Sequence, residues 1–255
     1  MSKPFAVMLA FGVLASAFAV GQEPVAADPN ATGQSLLNAV QGAAQPEQIS
    51  TTIVVVALIT LISLAPSILV MTTCFTRIII VLGFLRQAMA TQQSPPNQVL
   101  VGLALFLTMF IMAPTYQNVY DNALQPYVVG EITQQEAVDR GLQPIRQFMF
   151  RQTNPRDIAL FLHIGEIERP KTRDDVPLRV LIPAFMLSEL SVAFQIGFII
   201  YIPFLIIDMV VASTLMSMGM MMLPPVFISL PFKVILFVLA DGWYLLIGSL
   251  VRSFQ

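Results

Sequence analysis

The chain has 255 residues, 56% of them hydrophobic and only 11% charged, with a net charge of −2 and a mean hydropathy of +0.76. An ordinary soluble domain carries roughly 25% charged residues, so too little polar material is present to cover a water-facing surface of this size. The charge balance argues against a basic nucleic-acid-binding patch. The single cysteine, Cys74, excludes an internal disulfide, and one cysteine with one histidine, His163, cannot supply a usual metal ligand set.

The first residues read as a cleavable signal peptide. Lys3 opens it, residues 5–20 form an apolar stretch too short for a comfortable span, and Ala17-Phe18-Ala19 matches the small-x-small pattern, placing cleavage near Ala19. An uncleaved anchor is the alternative. Residues 20–50 carry Glu23, Asp28 and Glu47 and no Lys or Arg, as a loosely ordered tail on the non-cytoplasmic side would.

Residues 53–71 make the first membrane-length run, with Pro66 set to kink it. Arg77 and Arg86 then bracket eight apolar residues, 78–85. Eight helical residues cover about 12 Å, too little to cross a bilayer, so this stretch is expected to turn back or pack on a neighbour. Ser94-Pro95-Pro96-Asn97 breaks the chain, with Asn97 placed to cap the next helix. The second run, 99–112, is expected to end at Pro114.

Residues 121–179 differ in kind. They hold nine acids, eight Lys or Arg, and His163, and read as short soluble helices. Thr133 with Glu136 resembles a capping box, and Asn154-Pro155 suits another helix start. The third run, 180–207, is interrupted by Pro183, Glu189, Gln195 and Pro203, and is followed by Asp208. Pro224-Pro225 opens the fourth run, 226–251, which contains Pro231, Lys233 and Asp241. The expected fold is all-α, with membrane-type helical hairpins built from kinked and broken helices over 51–120 and 180–255. A small soluble, periplasmic helical segment over 121–179 lies between them.

Arg77 and Arg86 place the first loop inside by the positive-inside rule, which puts 121–179 outside and 208–225 inside. The latter loop has no Lys or Arg. That misfit suggests that protein partners, not lipid, cover some of the apolar segments.

No catalytic arrangement stands out. His163 has Asp157 and Glu166 nearby in sequence, but no nucleophile motif, phosphate-cradling loop or H-E-x-x-H accompanies it. Charges inside apolar runs are costly and usually face a partner or water. Glu189 and Lys233 are therefore expected to pair, within a chain or between subunits. Asp208 and Asp241 are the candidate intramembrane polar sites if the chain instead conducts protons or ions. Met216, Met218, Met220, Met221 and Met222 gather five of the chain's fourteen methionines into seven residues, the last three lying between Gly219 and the proline pair. Flexible methionine adapts to many contacts, so Met220, Met221 and Met222 in a loop could form a deformable apolar seal, or simply fill gaps between helices.

Residues 183–198, Pro-Ala-Phe-Met-Leu-Ser-Glu-Leu-Ser-Val-Ala-Phe-Gln-Ile-Gly-Phe, resemble the signature of the FliP family. So do residues 77–100, with Gly83-Phe84-Leu85-Arg86-Gln87-Ala88, and the pair of short motifs Pro231-Phe232-Lys233 and Asp241-Gly242-Trp243. The resemblance covers residues 50–252. It implies a core subunit of the flagellar type III protein export gate in the bacterial inner membrane, at the flagellar basal body. Other FliP copies, FliQ, FliR and further export-apparatus membrane proteins are the implied partners, and unfolded flagellar proteins the cargo. No enzyme activity, cofactor, metal or nucleic acid is implied. Virulence-injectisome relatives share the architecture, and the signal peptide and segment 121–179 favour the flagellar branch. By the same resemblance, Met220, Met221 and Met222 form the gasket that narrows the pore, and Glu189 and Lys233 hold subunits together.

Overall fold

The computed structural model describes residues 56, 58–60, 63–64, 67–68, 70–91, 93–220 and 223–254. The signal peptide, its cleavage point near Ala19 and the tail to residue 50 lie outside the described residues. The chain divides into two units, 1–69 and 70–255. In the first, the described residues are helical, Thr60 and Ser63 turn their hydroxyls back to the carbonyls of Val56 and Ile59, and Val56, Leu58, Ile59 and Leu64 are exposed.

The second unit is helical, with no strand among its described residues. Its centre is α1 (Phe75–Ala88), where Ile78, Val81, Leu82 and Leu85 recur at helical spacing and are all buried. The short run between Arg77 and Arg86 thus packs on its neighbours, as its length requires, chiefly the long helix described below.

Helix α2 (Asn97–Val119) begins after Pro96, whose extended backbone ends the break. Asn97 is its first helical residue and not its cap; its side-chain oxygen accepts instead from Arg86 Nη1 at 2.5 Å. Pro114 does not end the helix. The chain continues to Val119, through a wider π-helical turn (Tyr120–Leu124) and into α3 (Gln125–Val129). Gly130, at φ +82°, stops it with the left-handed geometry that glycine adopts without a Cβ penalty.

The polar segment follows. Thr133 caps α4 (Gln134–Gln152) by accepting from the Glu136 amide, and Asn154 caps α5 (Pro155–Ile164) by accepting from the Arg156 amide at 3.0 Å. Both starts are where the cap residues placed them.

Helix α6 (Leu178–Ser217) is where expectation and structure differ most. The interrupted run of 180–207 is one helix of 40 residues that passes through Pro183 and Pro203 and takes in Asp208. Prolines are tolerated in apolar helices whose neighbours restrain the freed carbonyl. At 1.5 Å per residue α6 is about 60 Å long, twice the ~30 Å hydrocarbon core of a bilayer. α7 (Pro225–Leu239) runs through Pro231, and α8 (Gly242–Arg252) is bent from it by 64°. The bend falls at Asp241, held at φ +50°. A Cβ on Gly242 would come within 2.2 Å of the Phe237 ring, so only glycine lets that ring fold over the corner.

Residues 97–129 and 178–217 are long and apolar enough to cross a membrane, and the bent pair α7–α8 is a third candidate. The close α1–α6 contact depends on another glycine. Phe84 meets Phe194 edge-on at 5.1 Å, and its ring occupies the place where a Cβ on Gly197 would sit, 2.4 Å away. Gly197→Ala is expected to force the helices apart at a cost of about 1–3 kcal/mol. Thermal unfolding of the detergent-solubilised chain measures it. Gly102→Ala, where a Cβ meets nothing within 4 Å, should leave the midpoint unchanged or slightly raised.

Candidate functional site

Two ion pairs, one buried and one half-buried, hold the second unit together, and neither is the pair expected from the sequence. Glu189 and Lys233 do not meet. Glu189, fully buried on α6, takes Arg77 of α1. Nε of Arg77 donates to one carboxylate oxygen at 2.9 Å and Nη2 to the other, a bidentate pair. Nη2 also donates to Gln152 Oε1 of α4 at 3.1 Å, and Nη1 donates to both the carbonyl and the hydroxyl of Ser253 at 3.1 Å. All five guanidinium hydrogens thereby have acceptors, and the Phe254 ring covers the group at 3.9 Å. Gln152 donates onward to the Phe254 carbonyl. One side chain fastens α1, α4, α6 and the end of α8 to each other.

Lys233, buried on α7, pairs with Asp208 of α6 at 2.6 Å and donates to the Ala88 carbonyl at 3.1 Å. That carbonyl belongs to the last turn of α1, where a cation suits the helix dipole. Ser229, one turn before Lys233, donates to the other Asp208 oxygen at 2.6 Å. Asp208 is therefore a partner within the bundle. Asp241 sits exposed at the α7–α8 corner, with no side-chain hydrogen bond or ion pair among the described residues. The two aspartates expected as intramembrane polar sites are not joined by any hydrogen bond.

Arg77 is 1% exposed, so it is not a loop charge and does not mark a cytoplasmic face. Its role was missed because a charge at the edge of an apolar run reads as a flank. The signal that could have found it was the count of charges close to apolar runs. Counted that way, Arg77 and Asp208 stand among the unlike charges available to Glu189 and Lys233.

At the methionine-rich turn α6 ends in a Schellman motif. Gly219, at φ +75°, donates to Met216 O, and the Met220 amide to Leu215 O, both at 3.0 Å. Met216, Met218 and Met220 are exposed. Met221 and Met222 lie outside the described residues. His163 is exposed on α5 and not bonded to Asp157, which accepts instead from Ser188 Oγ. No group of three metal-ligating side chains occurs among the described residues.

The arrangement holds apolar helices in register, pairs Glu189 with Arg77 and Lys233 with Asp208 inside the chain, and leaves broad apolar faces open, as in subunits of helical membrane assemblies. The sequence profile described as the FliP family matches residues 58–250, and the chain belongs to that family. It is 57% identical over 209 residues to the flagellar biosynthetic protein FliP of Bacillus subtilis, covering 82% of this chain and 95% of that one. It is also 57% identical over 200 residues to FliP of Caulobacter vibrioides (78% and 75%), and 47% over 211 residues to FliP of Borreliella burgdorferi (82% and 83%). It is thus a flagellar biosynthesis protein of the export apparatus.

Removing one member of the buried pair leaves a charge without compensation. Glu189→Gln is expected to destabilise the chain by about 3–5 kcal/mol, whereas Arg77→Met with Glu189→Met should cost less than that single change. Thermal unfolding of the solubilised protein checks both. Equal stability of Glu189→Gln and the native chain would contradict the assigned pairing.

Proposed function

We propose that this chain is a pore-forming subunit of the flagellar protein export gate. In this reading several copies, with FliQ, FliR and other membrane proteins of the apparatus, surround a passage for unfolded flagellar proteins. The gate stands in the bacterial inner membrane within the flagellar basal body, with residues 121–179 on the periplasmic side. The subunit is not an enzyme, and the energy for transport comes from elsewhere in the apparatus.

The observation that carries this reading is α6. It is about twice the length of a lipid span, and Phe194, Phe198, Ile199, Ile206, Met209 and Val210 along it are each more than half exposed. A single lipid layer cannot cover such a helix, and neighbouring subunits can. Glu189 and Lys233, two charges that would resist close packing, are already paired inside the chain. The flagellar relatives favour this branch over the injectisome one.

Met220, Met221 and Met222 are proposed to close the passage at rest. Their thioether chains can rearrange around a moving polypeptide and still exclude ions. Replacing the three by alanine in the assembled complex should raise ion conductance through membranes at least several-fold while subunit amounts stay constant. Conductance at the native level would sink the seal. Were the chain an ion-conducting transporter subunit instead, neutralising Asp208 and Asp241 would abolish activity and the methionine replacement would be silent.

A further inference from the structure

One cation beside the apolar runs is left over. Arg77 and Lys233 each hold a carboxylate, whereas Arg86, in the last turn of α1, forms no ion pair among the described residues. Its Nη1 donates to Asn97 Oδ1 at 2.5 Å and to the Pro95 carbonyl at 3.4 Å. Those acceptors fix the guanidinium, while Nε and Nη2 have no acceptor among the described residues. Nε with Nη2 is the same edge with which Arg77 grips Glu189.

Arg86 stands at the mouth of an open cavity of about 700 Å³ between α1 and α6. Arg86 and Gln87 form its polar end, and no Asp or Glu lines it among the described residues. The floor is apolar. Ile80, Gly83 and Phe84 recur on one face of α1, and Leu190 and Phe194 line it from α6, one turn apart. From Ile80 to Gln87 the floor runs about 10 Å along the helix. A Cβ on Gly83 would meet nothing within 4 Å, so the floor is open there and not a packed seam. Just beyond Arg86 the chain turns polar, with Gln93, Ser94, Asn97 and Gln98 exposed.

We infer that this cavity binds one anionic phospholipid, its phosphate on Arg86 and one acyl chain along Ile80, Gly83 and Leu190. The surface steps from apolar to cationic to polar in the order in which a lipid steps from acyl chain to phosphate to headgroup. The planar fork of arginine matches phosphate oxygens, and its free edge is the one that makes bidentate pairs. A soluble phosphate would use the fork and leave the apolar floor in water. Anionic lipids of the cytoplasmic leaflet supply both parts in one molecule, and basic pockets between membrane helices suit their headgroups. Bound there, the lipid neutralises Arg86 and fills the gap beside the Phe84–Phe194 contact, so it becomes part of the packing of α1 on α6. The inference rests on the inner-membrane placement proposed above and not on the passage for cargo.

The test uses the full chain assembled with its partners, extracted in mild detergent and offered equal amounts of phosphatidylglycerol and phosphatidylcholine, with retained lipid read by native mass measurement. The native assembly should keep phosphatidylglycerol about fivefold or more over phosphatidylcholine. Arg86→Gln should abolish most of that preference. Gly83→Leu, which fills the floor and leaves the charge, should lower the retained phosphatidylglycerol by a similar factor. Millimolar inorganic phosphate should not displace the lipid. Equal retention of the two lipids, a preference that neither substitution changes, or displacement by phosphate alone overturns the site.

Photolabelling gives an answer that needs no substitution. In vesicles of phosphatidylcholine, a phosphatidylglycerol carrying a diazirine on its acyl chain should label the peptides that hold residues 80–84 and 190–194. Added phosphatidylglycerol should compete, and further phosphatidylcholine should not. Label absent from both peptides, or found there on a partner subunit instead, means that protein covers the cavity and overturns the site. A chain that does not fractionate with membranes refutes the placement and the site together. One that does, and takes no label, refutes the site alone.

Discussion

The buried Arg77–Glu189 pair is the constraint on which the rest of the second unit depends. A guanidinium taken out of water is tolerable only when every donor finds an acceptor, and here Glu189, Gln152 and Ser253 together supply them. Those acceptors come from α6, α4 and the end of the chain. Satisfying one side chain therefore fixes where three other segments lie around α1. An apolar bundle has many packings of similar energy, and a bidentate ion pair with planar geometry has few. The second pair, Lys233 with Asp208, extends the same logic to α7 and binds it to the last turn of α1.

Internal neutralisation changes what the outer surface has to do. With Glu189 and Lys233 paired within one chain, the exposed faces of α2, α6 and α7 are left almost wholly apolar, carrying Phe106, Phe110, Phe194, Phe198, Phe227 and Phe232. Such faces gain most from subunits that fit them, and lipid alone does not match a helix of 40 residues. The polar segment behaves oppositely. It keeps charge of both signs on its surface, Asp121, Glu131, Asp139, Arg151 and Arg156 being exposed.

Much of the fold was legible in the residues. The caps at Thr133 and Asn154, the break at Pro95-Pro96 and the end of α6 at Gly219 follow from local chemistry: a side-chain acceptor, a missing amide proton, a residue free to take positive φ. The expectation that 78–85 packs on a neighbour followed from length alone. Where reading failed, it failed at proline. Pro114 is expected to end a run and Pro183 and Pro203 to interrupt one, yet each lies within a continuous helix, because in an apolar bundle the neighbouring helices restrain a strained turn that water would have unravelled.

The sequence by itself determined that this is an all-helical chain with too few charges for water, which segments are helical, where several of them begin, and, through its long motifs, its family. Only the tertiary structure decided who pairs with whom. Glu189 lies 112 residues from Arg77, and Lys233 lies 25 from Asp208 and 145 from Ala88. Local pattern carries no information at such separations. A helix start is settled within one turn of chain by its own hydrogen bonds, whereas the partner of a buried charge is settled by whichever group the whole bundle brings to within 3 Å of it.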